Sequence, residues 1–272
     1  MKLLTLIEIE LKKLLPVLLI ILGLMLAAST FLFYQFSTSF NRELTRELTG
    51  ISVAEYITLN GPITLAQIKN LSFNLINVLY GFTAVLLVSI SSFYLWYKEW
   101  FGQSKRIYML LSLRGSRYTI LLSKLITVLF ASFIFYGAIL LSLVLGGLVT
   151  RFVLPTGIFE FTPISSVLAQ STSFGLGFSL PLTFVDFIYK LFFVTVAFSG
   201  ISVWVLSDRS KKIWGFIFGG AYCILIASIY IRTLTVFLFF DERFIVDWGF
   251  VLGASALNLA LSYVLLNKKI SI

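Results

Sequence analysis

Six apolar runs divide this chain, and they limit what it can fold into more than any other feature. They cover about Pro16–Tyr34, Leu71–Tyr97, Leu125–Val149, Phe184–Leu206, Ile213–Ile231 and Trp248–Leu266. At about 1.5 Å per residue, some twenty helical residues cross a hydrocarbon core of ~30 Å. Hydrocarbon offers no partner for a backbone N–H or C=O, so each such run must be helical. Composition agrees: 59% of the residues are hydrophobic and 12% charged, where a soluble domain carries about 25% charged. Mean hydropathy is +0.99. The expected fold class is all-α, a polytopic membrane protein with six transmembrane helices in a single transmembrane domain over residues 1–272.

Several chemistries are disfavoured by what the chain lacks. Without histidine there is no Ser/His/Asp set, and the commonest general base and metal ligand is gone. There is no GxxxxGK[ST] phosphate loop, so the chain does not bind and hydrolyse ATP by that route. Cys223 is the sole cysteine and sits inside an apolar run, which precludes an intrachain disulfide. No catalytic residue, metal site or nucleic-acid site is expected. A membrane-embedded enzyme is the weakest of the functional classes considered.

Residues 1–15 read as an amphipathic helix lying in the membrane interface. Leu3, Leu4, Ile7, Leu11 and Leu14 fall on one face, and Lys2, Thr5, Glu8, Lys12 and Lys13 spread over the other. A secretory signal is the rival reading, with Lys2 as its basic end and Leu26-Ala27-Ala28-Ser29 near a cleavage site. The charges at Glu8, Glu10, Lys12 and Lys13, followed by so long an apolar run, favour an uncleaved first span.

Charge sets the orientation. With six spans, both termini share a side with the stretches between spans two and three and between spans four and five. That side holds 14 of the 21 basic residues and 4 of the 12 acids, a net +10; the other side nets −1. Lysine and arginine mark the cytoplasmic side, so both termini are expected in the cytoplasm of a multi-pass cell-membrane protein. On the outer side, Thr150 to about Thr183 is rich in Gly, Ser, Phe and Pro and is expected on the membrane surface or dipping into it. The stretch from Arg232 to Asp247 is a shorter apolar excursion.

The longest cytoplasmic insert runs from Lys98 to Lys124. Lys98, Lys105, Arg106, Arg114, Arg117 and Lys124 face a single acid, Glu99, yet Ile107, Met109, Leu110, Leu111 and Leu113 make an apolar run at its centre. The economical reading is a short amphipathic helix broken at Arg114-Gly115-Ser116. Its apolar side needs something to press against, either lipid headgroups and their tails or a protein groove.

In layout this insert resembles the cytoplasmic coupling region of ABC type-2 exporter permeases, the membrane subunits of ATP-driven exporters. There a charged segment follows span two, then a Leu-Leu pair, a turn ending in Ser/Asn-Arg, and a helix with a lysine at its start. The matching residues are Glu99, Leu110, Leu111, Leu113, Ser116, Arg117 and Lys124. Arg114-Gly115 stands where the family often has proline, and Gln103 or Ser104 where an acid is usual. The interfacial N-terminal helix, the six spans and the basic C-terminus extend the likeness over the whole chain.

The resemblance implies a permease subunit, itself no enzyme, that exports a substrate as half of a homo- or heterodimer. A separate cytosolic ABC ATPase would carry the ATP and Mg, leaving no cofactor on this chain. It implies an ATPase-coupling element from Glu99 through Lys124, with Arg106, Ile107, Leu110, Leu111, Leu113, Arg114, Gly115, Ser116 and Arg117 at the contact. The alternative is an ATP-independent channel or secondary carrier, in which the basic insert serves topology alone.

Within the spans, Asn70, Asn74 and Asn77 recur on one helical face with Gly81 and Ala84. They line a translocation path or bond between helices. Gly215 and Gly219, and Gly249, Gly253, Ala256 and Ala260, make small faces for close packing. Asp186 and Lys190, one turn apart, are either a substrate contact or an ion pair.

Overall fold

The computed structural model describes residues 3–47, 52–65, 75–101, 118–155, 157–160, 184–211, 213–235 and 240–269. It holds the helices α1 (Leu3–Glu47), α2 (Val53–Asn60), α3 (Leu75–Phe101), α4 (Tyr118–Val153), α5 (Phe184–Lys211), α6 (Ile213–Thr235) and α7 (Phe240–Val264). A π-helical turn, Leu265–Lys269, closes α7, and two short strands are β1 (Ile63–Thr64) and β2 (Phe159–Glu160). All of these helices except α2 are long and apolar enough to cross a membrane, the six expected from the sequence. The fold is helical and membrane-like.

Several boundaries differ from expectation, among them the starts of α4 at Tyr118 and of α7 at Phe240. Residues 1–15 do not form an element of their own, because α1 runs unbroken for 45 residues with Pro16 inside it. Proline removes one backbone bond, which an apolar segment tolerates when its neighbours hold the helix. The helix also continues past Gln35, because Phe36, Phe40 and Leu44 keep an apolar face turned to a small cluster. At ~68 Å, α1 is about twice the length a hydrocarbon core requires.

By packing, the chain forms two compact units. One comprises Leu19–Val85 and Phe133–Leu182. Inside it α1 and α4 run parallel, since Ser29 meets Ser142, Ser37 meets Thr150 and Asn41 donates to the Val153 carbonyl. Close approach is possible because Gly146 faces the Phe33 ring, where a Cβ would lie 2.5 Å from Cδ2. The ends of α1 and α4 share a cluster of Leu44, Ile63, Leu154 and Ile158. There β1 and β2 pair in parallel, Ile63 opposite Phe159. Ser52 caps α2 by accepting from the Glu55 amide at 3.3 Å, an S-x-x-E start.

The other unit comprises Met1–Leu18, Leu86–Ser132 and Thr183–Ile272. Only one residue separates α5 from α6, and the two form a tight hairpin. Gly215 and Gly219 face α5 with no room to spare: a Cβ at Gly215 would lie 1.8 Å from the Ser207 carbonyl oxygen, and one at Gly219 2.8 Å from the Trp204 Cα. The small face expected on span five thus packs within the chain. The small face of α7 does not, since Gly249 and Gly253 have nothing within 4 Å. Instead α7 turns Val251, Ser255, Asn258 and Ser262 inward. Asn258 ties three helices together, accepting from the Tyr222 hydroxyl and donating to the Val196 carbonyl.

Aromatic residues band this unit at two levels. Tyr189, Tyr230 and Trp248 gather with Phe193 and Phe250 at one end. Trp204, Trp214 and Tyr263 lie 15 or 16 residues further along or back on the same three helices. That is about 22–24 Å of helix, the spacing of aromatic belts at the two faces of a membrane. Between the bands α6 exposes Ile217, Phe218, Ile224 and Leu225, a surface suited to lipid.

The two glycine faces separate packing from mere composition. Gly215→Ala should destabilise the protein by about 1–3 kcal/mol through overpacking, while Gly253→Ala should stay within about 0.5 kcal/mol of wild type. Thermal unfolding of both variants in detergent, followed by retention on gel filtration, checks this. Equal losses would mean that the α5–α6 contact is not as close as described.

Candidate functional site

The inward stripe at the start of α1 is Leu6, Glu10, Leu14 and Leu18, each four residues from the next. An acid therefore occupies one rung of an apolar ladder, and Glu10 is left with 1% exposure. The apolar face read from the sequence was rotated from this one. Of its members only Leu14 is buried, while Leu4 is 77% exposed.

What Glu10 meets is Lys124, two turns into α4 and fully buried. The Lys124 ammonium lies 3.1 Å from Glu10 Oε1 and donates to the Leu95 carbonyl of α3 at 3.0 Å. It also sits 5.2 Å from the centre of the Trp96 ring, a cation–π distance. Lys13 approaches the second carboxylate oxygen at 3.5 Å. Trp96, itself fully buried, donates through Nε1 to the Ser202 hydroxyl of α5 at 3.0 Å, and Ser202 donates to the Phe198 carbonyl. One ionic contact thus joins α1 to α4, and its neighbours extend the joint to α3 and α5.

The electrostatics explain why all these groups are present. An ammonium out of water needs a counter-charge and acceptors for its protons, since a lone buried charge costs several kcal/mol. Glu10 supplies the charge, the second lone pair of the Leu95 carbonyl supplies an acceptor, and the indole face supplies a negative quadrupole. Outside this cluster, Lys12–Glu8 is an exposed pair one turn apart, and Lys98 lies over the Tyr94 ring.

The residues singled out in the sequence fall unevenly. Lys124 is at the heart of the joint, and its ammonium faces inward. Glu99 lies on α3, one turn beyond Leu95. Arg106, Ile107, Leu110, Leu111, Leu113, Arg114, Gly115, Ser116 and Arg117 lie outside the described residues, in the stretch between α3 and α4. So do Asn70 and Asn74. Asn77 is half-buried on α3 in the other unit, where the buried stripe is Ile76, Tyr80 and Ala84. Lys190 and Asp186 form the i,i+4 ion pair at 2.9 Å.

Sequence reading missed a second polar line, in the unit that holds Asn77. Ser29 donates to the Leu26 carbonyl and Ser142 donates to Ser29. Ser142 has then spent its only proton, so the Tyr80 hydroxyl must donate to Ser142 at 2.7 Å. The line runs from α3 through α4 to α1. Beside it, between Leu26–Tyr34 of α1 and Leu145–Val149 of α4, lies a shallow open apolar groove of about 570 Å³. Among the described residues no three His, Cys, Asp or Glu side chains come together to hold a metal. Chemically the buried joint can hold two helices at fixed separation; it presents no nucleophile beside a base.

Removing one member of the pair should cost far more than removing both. Lys124→Met or Glu10→Gln alone should destabilise the chain by about 3–5 kcal/mol, while the double variant recovers most of that loss. Unfolding in detergent micelles with increasing dodecyl sulfate measures all three variants. Additive losses would show that the two charges do not depend on each other. No known family matches the chain, and neither a curated protein nor a solved structure is significantly similar to it.

Proposed function

We propose that this chain is the membrane-spanning permease subunit of an ATP-binding-cassette exporter, coupled to a separate cytosolic ATPase. Both termini and the Lys98–Lys124 stretch face the cytoplasm of the cell membrane on this reading, because that side carries a net +10 against −1 opposite. The permease works as one half of a homo- or heterodimer. The ATPase holds the ATP and Mg, and this chain supplies the path and the lever.

The observation that carries the reading is how the 102–117 stretch is mounted. A cytosolic motor moves a membrane helix only by pushing on something stiffly joined to it. The helices bracketing that stretch, α3 and α4, are tied to each other where Lys124 donates to the Leu95 carbonyl, two turns before α3 ends. Glu10 adds α1 to the same joint. A loop serving topology alone has no need of such a mounting, nor of five apolar residues at its centre.

The expected docking is that of an amphipathic helix in a groove. Ile107, Leu110 and Leu111 fill it, and Arg106, Arg114 and Arg117 meet acids at the rim. The opening turns of α1, where Glu8 and Lys12 are exposed, form a second contact at the membrane surface. ATP-driven closure of the partner then tilts spans two and three together.

Leu110→Asp with Arg117→Glu puts an acid on the apolar side and reverses a rim charge. The variant should still insert into the membrane at wild-type level but lose a co-expressed phosphate-loop ATPase from its gene neighbourhood on purification. Retained ATPase would refute the docking assignment. Transport by the purified chain in vesicles without any ATPase would point to an independent channel or carrier.

A further inference from the structure

Lys124 and Glu10 are dry, charged and 114 residues apart in sequence, and both side chains face into the protein. Their placement relative to the helix ends is what matters. Lys124 lies six residues after α4 begins, and Leu95 lies six before α3 ends. The joint thus sits just inside the two helix ends that carry the 102–117 stretch.

We infer that Glu10 and Lys124 form an ionic clamp that makes the adjoining ends of α1, α3, α4 and α5 one mechanical body. A displacement delivered through 102–117 then passes to α1 and α5 instead of being absorbed where α3 and α4 emerge; this second half rests on the transport reading above. The physical basis is the asymmetry of a buried pair. Sliding α1 off α4 takes the Glu10 carboxylate away from the Lys124 ammonium out of water and leaves Glu10 the longer Lys13 contact on its own helix, so the seam has a steep cost for small separations, whereas apolar side chains slide with little penalty. Trp96 extends the same stiffness, because its ring face is held by the ammonium and its Nε1–H by Ser202. Four helices are therefore linked by contacts that each need a particular distance.

The clamp differs from ordinary packing in how damage spreads. In the full chain in lipid nanodiscs, amide exchange would be followed at residues 3–15, 91–101, 118–126 and 199–206. Glu10→Gln and Lys124→Met should each raise exchange by roughly tenfold or more in all four segments together, and the double variant should return it towards wild type. A rise confined to the helix bearing the substitution overturns the clamp. So does a double variant as loose as either single, and, should the singles fail to accumulate, so does a double variant that fails to accumulate as well.

A second arm adds the co-expressed ATPase. Nucleotide should change exchange at 3–15 in wild type, and Lys124→Met should abolish that change while the ATPase stays bound. A normal nucleotide response in Lys124→Met overturns the transmission half alone. If wild type binds no ATPase, the transport reading fails while the first arm still decides the clamp.

Discussion

Hydrocarbon has nothing to offer a polar group, and most of this structure follows from that. The backbone meets the constraint by coiling, which is why six apolar runs become six helices. Side chains meet it in a subtler way. Thr30, Thr83, Ser92, Thr127, Ser132, Thr195 and Ser202 each return their proton to a carbonyl of the preceding turn. A hydroxyl satisfied by its own helix is, to a neighbouring helix, a small and undemanding surface. Serine and threonine can therefore fill the inner faces of α3, α4 and α5 without fixing any one partner, and what they contribute is close approach.

Specific pairing comes from the few polar groups that cannot be satisfied at home. Asn258 reaches Tyr222 and the Val196 carbonyl, and Tyr80 reaches Ser142. Lys124, whose charge no backbone carbonyl can neutralise, reaches Glu10. Each of these contacts names a partner on another helix. Bonds between helices inside membranes are individually modest, about 0.6–2 kcal/mol. A buried ion pair is of another order when one member is lost, so among these contacts it constrains motion most.

Much of this was legible in the sequence because it depends on length and hydropathy alone. The six spans are where the apolar runs put them, Gly215 and Gly219 pack as a small face should, and Asp186 pairs with Lys190. The failures share one cause. Reading residues 1–15 by their leucines selected the face of Leu3, Leu4, Ile7, Leu11 and Leu14, because a carboxylate counts as outward under any amphipathic pattern. The buried face runs through Leu6, Glu10 and Leu14, and only knowledge of Lys124 makes Glu10 an inward residue. The same blindness hid the Tyr80 line behind the more conspicuous asparagines. Periodicity reports which residues prefer lipid or water; it does not report which polar residue has a partner on a helix a hundred positions away. A charge on a rung of an otherwise apolar i,i+4 ladder was the one available signal.

The ion pair also explains why a chain so constrained by hydrocarbon keeps a lysine where a leucine would insert more easily. A leucine at 124 would hold α4 against α1 and α3 by area, and area is indifferent to small slides along a helix axis. An ammonium held by a carboxylate at 3.1 Å and a carbonyl at 3.0 Å is not indifferent. Moving it by one ångström in either direction weakens one bond or the other, and water is not there to replace it. The cost of carrying two charges out of water thus purchases position more than cohesion. Position is what the ends of α3 and α4 require if anything acting between them is to move the rest of the protein.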